Sequence, residues 1–292
     1  MSSLQAWLME AVQQGWLAES FQYAFMLNAL IAAVILGPLL GGLGTLVIAK
    51  RLAFFSEAVG HAAITGIAIG ILLGEDPQSP VIGLFSFCLI FALMLHYVRS
   101  RTQVPYDTLV GVFLSCALAL GAALLMYVAR KINIHLLENV LFGSILTVTE
   151  QDIALLALVC FAVLLVLFFT YNRILLCCLS PDVAKVRGHS VAFYDYLFVL
   201  MITLVTIVAV KVIGAVLVGA LLLIPGATAR LIARDNRRFV LLSALLATLA
   251  CLGGTLLPVL YQWPLPSGAA IILLSSCFFV LATLWRVMRP NG

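Results

Sequence analysis

Charged side chains are scarce in this sequence. Asp, Glu, Lys and Arg account for 10% of the 292 residues, whereas hydrophobic residues account for 64% and the mean hydropathy is +1.19. Because about a quarter of the residues of an ordinary soluble domain are charged, this composition excludes a soluble globular protein. It predicts an all-α, polytopic integral membrane protein.

Several motifs of nucleotide, redox and nucleic-acid chemistry are also missing. The sequence has no GxxxxGK[ST] phosphate loop, so we do not expect the chain itself to bind ATP in the usual way. Its seven cysteines show no CxxC spacing, so we expect free, packed thiols and no disulfide framework. The basic residues are scattered singly and in pairs, which gives no patch for nucleic acid. No intrinsic cofactor is expected.

The long apolar segments predict about nine transmembrane helices, although eight or ten would fit nearly as well. All but three of the 16 Lys and Arg residues then fall on one side. The positive-inside rule makes that side the cytoplasm, with the N-terminus outside a bacterial inner or plasma membrane and the C-terminus inside. Residues 1–22 read as an interfacial segment, and 23–289 as one transmembrane domain. The predicted spans lie at about 23–49, 50–74, 80–98, 106–128, 152–171, 196–210, 215–232, 239–261 and 269–285.

One carboxylate and one imidazole interrupt the second apolar segment. Glu57 and His61 are four residues apart, so a helix places them on one face with Cβ atoms roughly 5–6 Å apart. Counted from the basic pair at 50–51, His61 lies about 15 Å into a hydrocarbon core about 30 Å thick. Ionisable groups at that depth are costly, so the pair indicates a polar pathway or a cation site. Two buried residues bonded only to each other or to another helix are the alternative.

Three further residues are candidates for entry or accessory positions on such a path. Asp107 begins the fourth span, where it also fits a plain helix start or loop. His135 and Glu138 are three residues apart near the predicted outer mouth. They would guide cations there, or form an ordinary solvated surface pair.

The longest polar insertion, at 172–195, contains start and stop signals of a short helix. Ser, Pro and Asp stand at 180–182, and Gly188 follows six residues after the last of them. A polar residue before proline favours a helix start and glycine favours a helix stop, so we predict a short cytoplasmic helix through Val186.

The connection between the sixth and seventh spans is short. The connection contains the polar residue Lys211 and the flexible residue Gly214. The seventh span contains Pro225 and Gly226, and arginines follow them. Such spacing predicts a broken or re-entrant element rather than two clean arms of a hairpin.

Four sequence blocks occur in a fixed order along the chain: KRLAFFSEAVGHAAITGIAIG, LFGSIL, SPDVAKVRG and KVIGAVLVGALLLIPGATARL, at 50–70, 141–146, 180–188 and 211–231. Through them the chain resembles the permease subunits of the manganese/zinc/iron-type metal ABC transporters, and the resemblance extends over most of its length. That family commonly has aspartate where this chain has Glu57. The extra methylene leaves the preferred metal open.

The resemblance implies a permease in the lipid bilayer that moves Mn²⁺, Zn²⁺ or Fe²⁺ into the cytoplasm. Its partners would be a separate ATPase subunit, a periplasmic or lipid-anchored metal-binding protein and a second permease copy. The ion would bind Glu57 and His61 in transit, because a carboxylate and an imidazole suit these metals and two protein ligands still allow release.

The resemblance also implies two roles outside the metal path. The segment 180–188, including Ala184, would be a coupling helix that docks into the ATPase, with an ordinary cytosolic loop as the alternative. Pro225 and Gly226 would form a functional helix break, with a tolerated kink as the alternative.

Two other classes of function fit the sequence less well. An ion-coupled secondary transporter of divalent metal would need more buried carboxylates along its path and no coupling helix. An intramembrane metallohydrolase would need a denser ligand set, such as HExxH, together with a general base. Neither pattern occurs in the sequence.

Overall fold

The computed structural model describes residues 24–76, 80–102, 104–128, 145, 148–261 and 265–288. Within them it contains ten α-helices and no strand, which confirms the all-α fold. Nine of these helices are long and apolar enough to cross a membrane, as the sequence predicts. In chain order the helices are α1 (Ala24–Ala49), α2 (Phe55–Leu72), α3 (Val81–Arg101), α4 (Tyr106–Val128), α5 (Glu150–Leu179), α6 (Pro181–Val186), α7 (Val191–Ile213), α8 (Ala215–Ile232), α9 (Asn236–Leu260) and α10 (Ser267–Met288).

The polar insertion predicted at 172–195 is shorter than expected. Helix α5 is 30 residues long and ends at Leu179, and α7 already begins at Val191. The residues at 174–179 are apolar and contain neither proline nor glycine. The helix therefore continues until Pro181, whose ring disfavours helical backbone at the residue before it. The interfacial segment predicted at 1–22 lies outside the described residues.

The helix break predicted at Pro225 and Gly226 is wrong, because α8 runs continuously through both residues. A proline in a membrane helix is tolerated where neighbouring helices compensate for its missing N–H. Gly226 instead lies in the contact between α8 and α1. A Cβ atom at this position would lie 2.6 Å from Ile48 Cδ1 on α1, so the end of the Ile48 side chain would have to shift to make room for it.

The backbone changes direction one position before α8. Gly214 alone separates α7 from α8, with φ of 84° and ψ of 158°. Residues with a side chain rarely adopt that positive φ. The predicted short connection between the sixth and seventh spans is thus a single glycine.

Helices α1, α2, α7 and α8 form the centre of the bundle. Helix α1 packs against α8 and α9, and α2 packs against α3, α4, α7 and α8. Most of α1, α2 and α7 is enclosed, while α4, α5 and α10 are largely exposed. The outer helices expose large apolar side chains, including Met126, Phe161 and Phe168. Exposed apolar surface of this extent suits contact with lipid.

One end of the bundle carries α6, and we call it the α6 end. Lys50 after α1 and Asp195 in α7 form an ion pair there, and Arg173 in α5 donates to the Tyr194 hydroxyl at 3.2 Å. Lys211 lies at the opposite end, 2.8 Å from the Asp152 carboxylate. The other basic residues within the described ranges are at the α6 end: Lys50, Arg51, Arg99, Arg101, Arg173, Lys185, Arg187, Arg230, Arg234, Arg237, Arg238 and Arg286.

Candidate functional site

Glu57 and His61 occupy the first two turns of α2. Helix α2 begins at Phe55, so Glu57 lies in its first turn and His61 one turn further. Both side chains are half-buried. A carboxylate in the first turn lies at the positive end of the helix dipole, which stabilises a negative charge there. This local effect lowers the cost of a charged group among apolar helices.

The packing of α3 shows how deep the pair lies. Near the α6 end, the His96 ring packs edge-on against the Tyr196 ring at 4.4 Å between centroids. About two helical turns earlier in α3, or about 12 Å along its axis, Cys88 Sγ lies 3.7 Å from the Val59 carbonyl oxygen. Val59 stands between Glu57 and His61 in the sequence. The pair therefore lies about 12 Å further from the α6 end than His96, a distance that approaches half the thickness of a hydrocarbon core of about 30 Å.

The start of α8 forms the facing wall of the site. A Cβ atom at Gly60 would lie 3.4 Å from Ala215 Cβ, and one at Gly219 would lie 3.8 Å from Glu57 Cβ. The first turns of α8 therefore pack along the face of α2 that carries Glu57. Since α8 begins immediately after the break at Gly214, an interrupted helix borders the candidate pair, as in many transporter binding sites.

His61 has a buried ring nitrogen without a partner. Among the described residues, five buried side-chain atoms form no hydrogen bond, and His61 Nδ1 is the one imidazole nitrogen among them. Buried polar atoms in native proteins are nearly always paired, because leaving one unpaired costs about 1–3 kcal/mol. A neutral imidazole nitrogen is also a common metal ligand. With a carboxylate one turn away, this nitrogen can bind a divalent cation.

Asp107, the described one of the other predicted path residues, is not brought to this pair. Asp107 is exposed in the first turn of α4, which matches the plain helix-start interpretation. His135 and Glu138 lie outside the described residues. Across the part of the chain that the structure describes, no three His, Cys, Asp or Glu side chains cluster closely enough to hold a metal ion. Among the described residues, the site thus offers two protein ligands.

Ser180, Pro181, Asp182 and Gly188 delimit α6. Pro181 is its first residue and Asp182 lies in its first turn, while Ser180 occupies the N-cap position without a capping hydrogen bond from its side chain. Gly188 follows the helix with φ of 77°, a conformation typical of glycine at a helix stop. The predicted short helix through Val186 is confirmed.

The predicted docking role of Ala184 needs a correction. Ala184 is completely buried, because α6 packs against α5 and α7, so its side chain faces the core of this chain. Val183 and Val186 are 46% and 89% exposed. Val186 follows Ala184 by two residues, which places it on the opposite side of a helix with 3.6 residues per turn. Helical periodicity alone could have predicted that Val186 lies on the side of α6 opposite to Ala184.

The ion pair at the α6 end was also missed. The Lys50 side chain is 8% exposed and that of Asp195 is 35% exposed, and Lys50 Nζ lies 5.3 Å from the centre of the Phe198 ring. The signal in the sequence is the lysine of the basic pair at 50–51 and a lone aspartate, each at the end of an apolar helix. Nothing local relates them, because they are 145 positions apart.

Three comparisons relate the chain to known proteins. A family model described as the ABC 3 transport family matches residues 22–286. The chain is 31% identical over 255 residues to the manganese import system permease protein ScaB of Streptococcus gordonii, with 87% of this chain and 89% of that protein covered. It is 28% identical over 258 residues to the high-affinity zinc uptake system membrane protein ZnuB of Haemophilus influenzae, with 88% and 96% covered.

A solved structure has a similar fold. It is described as PsaBC from Streptococcus pneumoniae in complex with Fab, and it matches with a TM-score of 0.78 and 29% sequence identity. The match covers 95% of this chain and 94% of the other. The helix arrangement described above is therefore shared almost from end to end.

Proposed function

The chain belongs to the ABC 3 transport family, and we propose that it is the membrane permease subunit of an ATP-binding-cassette importer for a divalent metal ion. The two relatives described above, which the chain matches over most of their length, are named as a manganese import permease and a zinc uptake membrane protein. Mn²⁺ and Zn²⁺ are therefore the first candidates for the cargo. Fe²⁺ is a third, since a carboxylate and an imidazole also suit that ion.

The observation that carries this proposal is the buried, unpartnered Nδ1 atom of His61 one turn from Glu57. A divalent cation would satisfy this nitrogen and neutralise the carboxylate at once. Two protein ligands bind less tightly than a closed set of four, so water completes the coordination. The ion can then leave, which a permease requires and a structural metal site does not.

ATP hydrolysis belongs to a separate subunit in this proposal. The sequence carries no phosphate loop, and ABC permeases work with an ATPase and a substrate-binding protein. The exposed apolar side chains of Val183 and Val186 on α6 support docking of the ATPase at the α6 end. The binding protein would deliver the ion at the opposite end, and a second permease copy would complete the membrane part.

The distribution of positive charge supports an orientation. The α6 end holds the basic residues of the described chain apart from Lys211, and cytoplasmic loops carry an excess of Lys and Arg. The α6 end therefore faces the cytoplasm in this proposal. Helix α1 then starts at the outer surface, and α10 ends in the cytoplasm.

Transport by reconstituted vesicles tests the proposal. The permease, its ATPase and its binding protein are placed in liposomes, and uptake of radioactive Mn²⁺ and Zn²⁺ is followed with and without ATP. We expect uptake only when the ATPase and ATP are both present. An ion-coupled secondary transporter, which the family assignment does not favour, would instead take up metal without ATPase and stop when a proton or sodium ionophore is added.

A further inference from the structure

Gly219 faces Glu57 across the contact between α2 and α8. A Cβ atom at Gly219 would lie 3.8 Å from Glu57 Cβ, and apart from its chain neighbours and the backbone of its own helix no other atom would come within 4 Å of it. Gly219 is itself buried. A methyl group there would therefore fit without a clash and would touch only the side chain of Glu57.

This environment differs from that of other glycines in the same bundle. At Gly44 a Cβ atom would lie 2.1 Å from the Leu222 carbonyl oxygen, and at Gly66 it would lie 2.9 Å from the Gly83 carbonyl oxygen. Those glycines are required because two backbones meet there. No backbone approaches Gly219 as closely, although protein interiors are normally close-packed. Close packing of two helix backbones therefore does not explain the glycine at 219, whereas a need for open space beside Glu57 does.

We infer that Gly219 is a specificity-determining residue, which leaves room beside Glu57 for water that stays bound to the transported ion. The inference rests on the proposed function, since it concerns the ion at Glu57 and His61. A methyl group displaces a volume close to that of one water molecule, about 30 Å³. Filling the space at 219 would therefore remove about one water from the ion's surroundings.

The loss of one water affects the two candidate ions differently. Zn²⁺ is commonly four-coordinate, so two protein ligands leave two positions for water. Mn²⁺ favours octahedral, oxygen-rich coordination, so the same two ligands leave four positions for water. The open space at Gly219 thus favours Mn²⁺, and a side chain at this position would shift the preference towards Zn²⁺.

Gly219→Ala tests this assignment. In cells without their own manganese and zinc importers, the chain is expressed with its ATPase and binding protein, and uptake of radioactive Mn²⁺ and Zn²⁺ is measured side by side. Because one methyl or methylene group more or less in a binding pocket changes discrimination by about tenfold or more, we expect the Mn²⁺-to-Zn²⁺ uptake ratio to fall about tenfold. The ratio does not depend on how much permease is present, so a lower expression level does not obscure it.

Two further variants complete the design. Gly42→Ala is the matched control, since a Cβ atom at this helical glycine in α1 has nothing within 4 Å, and its uptake ratio should stay at the wild-type value. The double variant Glu57→Asp/Gly219→Ala removes one methylene and adds one methyl, so it should restore most of the ratio. An unchanged ratio in Gly219→Ala, or an equal loss of both metals, would overturn the assignment. If the wild-type complex itself takes up neither metal, the proposed function fails instead.

Discussion

Lys211 Nζ lies 2.8 Å from the Asp152 carboxylate, so the end of α7 is joined to the first turn of α5. The same carboxylate accepts hydrogen bonds from the Thr149 hydroxyl at 2.6 Å and from the Thr149 N–H at 3.2 Å. Asp152 therefore completes the capping box of α5, whose N-cap residue is Thr149, and also holds the end of α7 that precedes the break at Gly214. The contact between Lys211 and Asp152 therefore fixes the end of α7, on the other side of Gly214 from the start of α8 that borders the candidate metal site.

Loss of both roles of Asp152 should cost more stability than loss of its charge alone. Asp152→Ala loses the ion pair with Lys211 and the carboxylate that accepts from Thr149, whereas Asp152→Asn loses the charge but keeps a side-chain oxygen that can accept from Thr149. Both variants leave Lys211 without its partner, so their difference isolates the capping bonds. Since a typical intramolecular hydrogen bond contributes about 1 kcal/mol, we expect Asp152→Ala to be the less stable variant by about that amount. Thermal unfolding of the purified permease in detergent measures the difference. Equal melting temperatures for the two variants would contradict the dual role of Asp152.

The ion pair at the α6 end should show an asymmetry. The Lys50 side chain is nearly buried, and Asp195 is about one-third exposed. Asp195→Ala leaves a buried ammonium without a partner, which costs about 3 kcal/mol or more. Lys50→Met leaves a carboxylate that water can still reach, so its cost should be smaller.

The same unfolding assay checks this asymmetry. The double variant Lys50→Met/Asp195→Ala should be more stable than Asp195→Ala alone, because no buried charge remains unpaired. Two results would contradict this explanation: a double variant that is less stable than Asp195→Ala, or a larger loss of stability in Lys50→Met than in Asp195→Ala. Either result would show that the burial of the Lys50 charge does not determine the cost of breaking the ion pair.

Two substitutions in α6 should separate docking from folding. Val186 is 89% exposed and Ala184 is completely buried. Val186→Glu should therefore leave the permease folded while it weakens contact with the ATPase and uncouples ATP hydrolysis from metal uptake. Ala184→Asp buries a charge without a partner and should reduce the amount of folded permease.

Gel filtration of each α6 variant, followed by metal-stimulated ATP hydrolysis in the reconstituted complex, distinguishes the two effects. Normal metal-stimulated hydrolysis by Val186→Glu would remove α6 as the docking helix. A well-folded Ala184→Asp permease would instead show that this position is more open than the packing of α6 against α5 and α7 implies.

The helices and the candidate pair could be predicted from local sequence, whereas contacts between distant helices could not. The apolar segments are long enough to mark each span, and Glu57 and His61 stand out because charged groups are rare among them. Helix α6 follows from Ser180, Pro181 and Gly188, which act within a few residues.

Other features depend on packing that no local pattern encodes. The sequence predicts a helix break at Gly226, whereas the structure has a continuous helix there that lies against Ile48 of α1. Gly219 looks the same in sequence, yet its facing residue is Glu57. Lys50 marks a helix end in sequence, but its partner Asp195 is identified only when α1 and α7 are seen side by side.

The central claim is that Glu57 and His61 bind the ion in transit, and metal uptake by variants of this pair tests it most directly. Glu57→Gln keeps the shape and removes the charge, His61→Ala removes the unpartnered nitrogen, and Glu57→Asp keeps the charge on a shorter side chain. In cells without their own importers, with folded permease verified by immunoblot and gel filtration, we expect the first two variants to abolish uptake. Glu57→Asp should retain uptake, with at most a changed preference among Mn²⁺, Fe²⁺ and Zn²⁺. Wild-type uptake in both Glu57→Gln and His61→Ala would contradict the account and move the ion path to another helix.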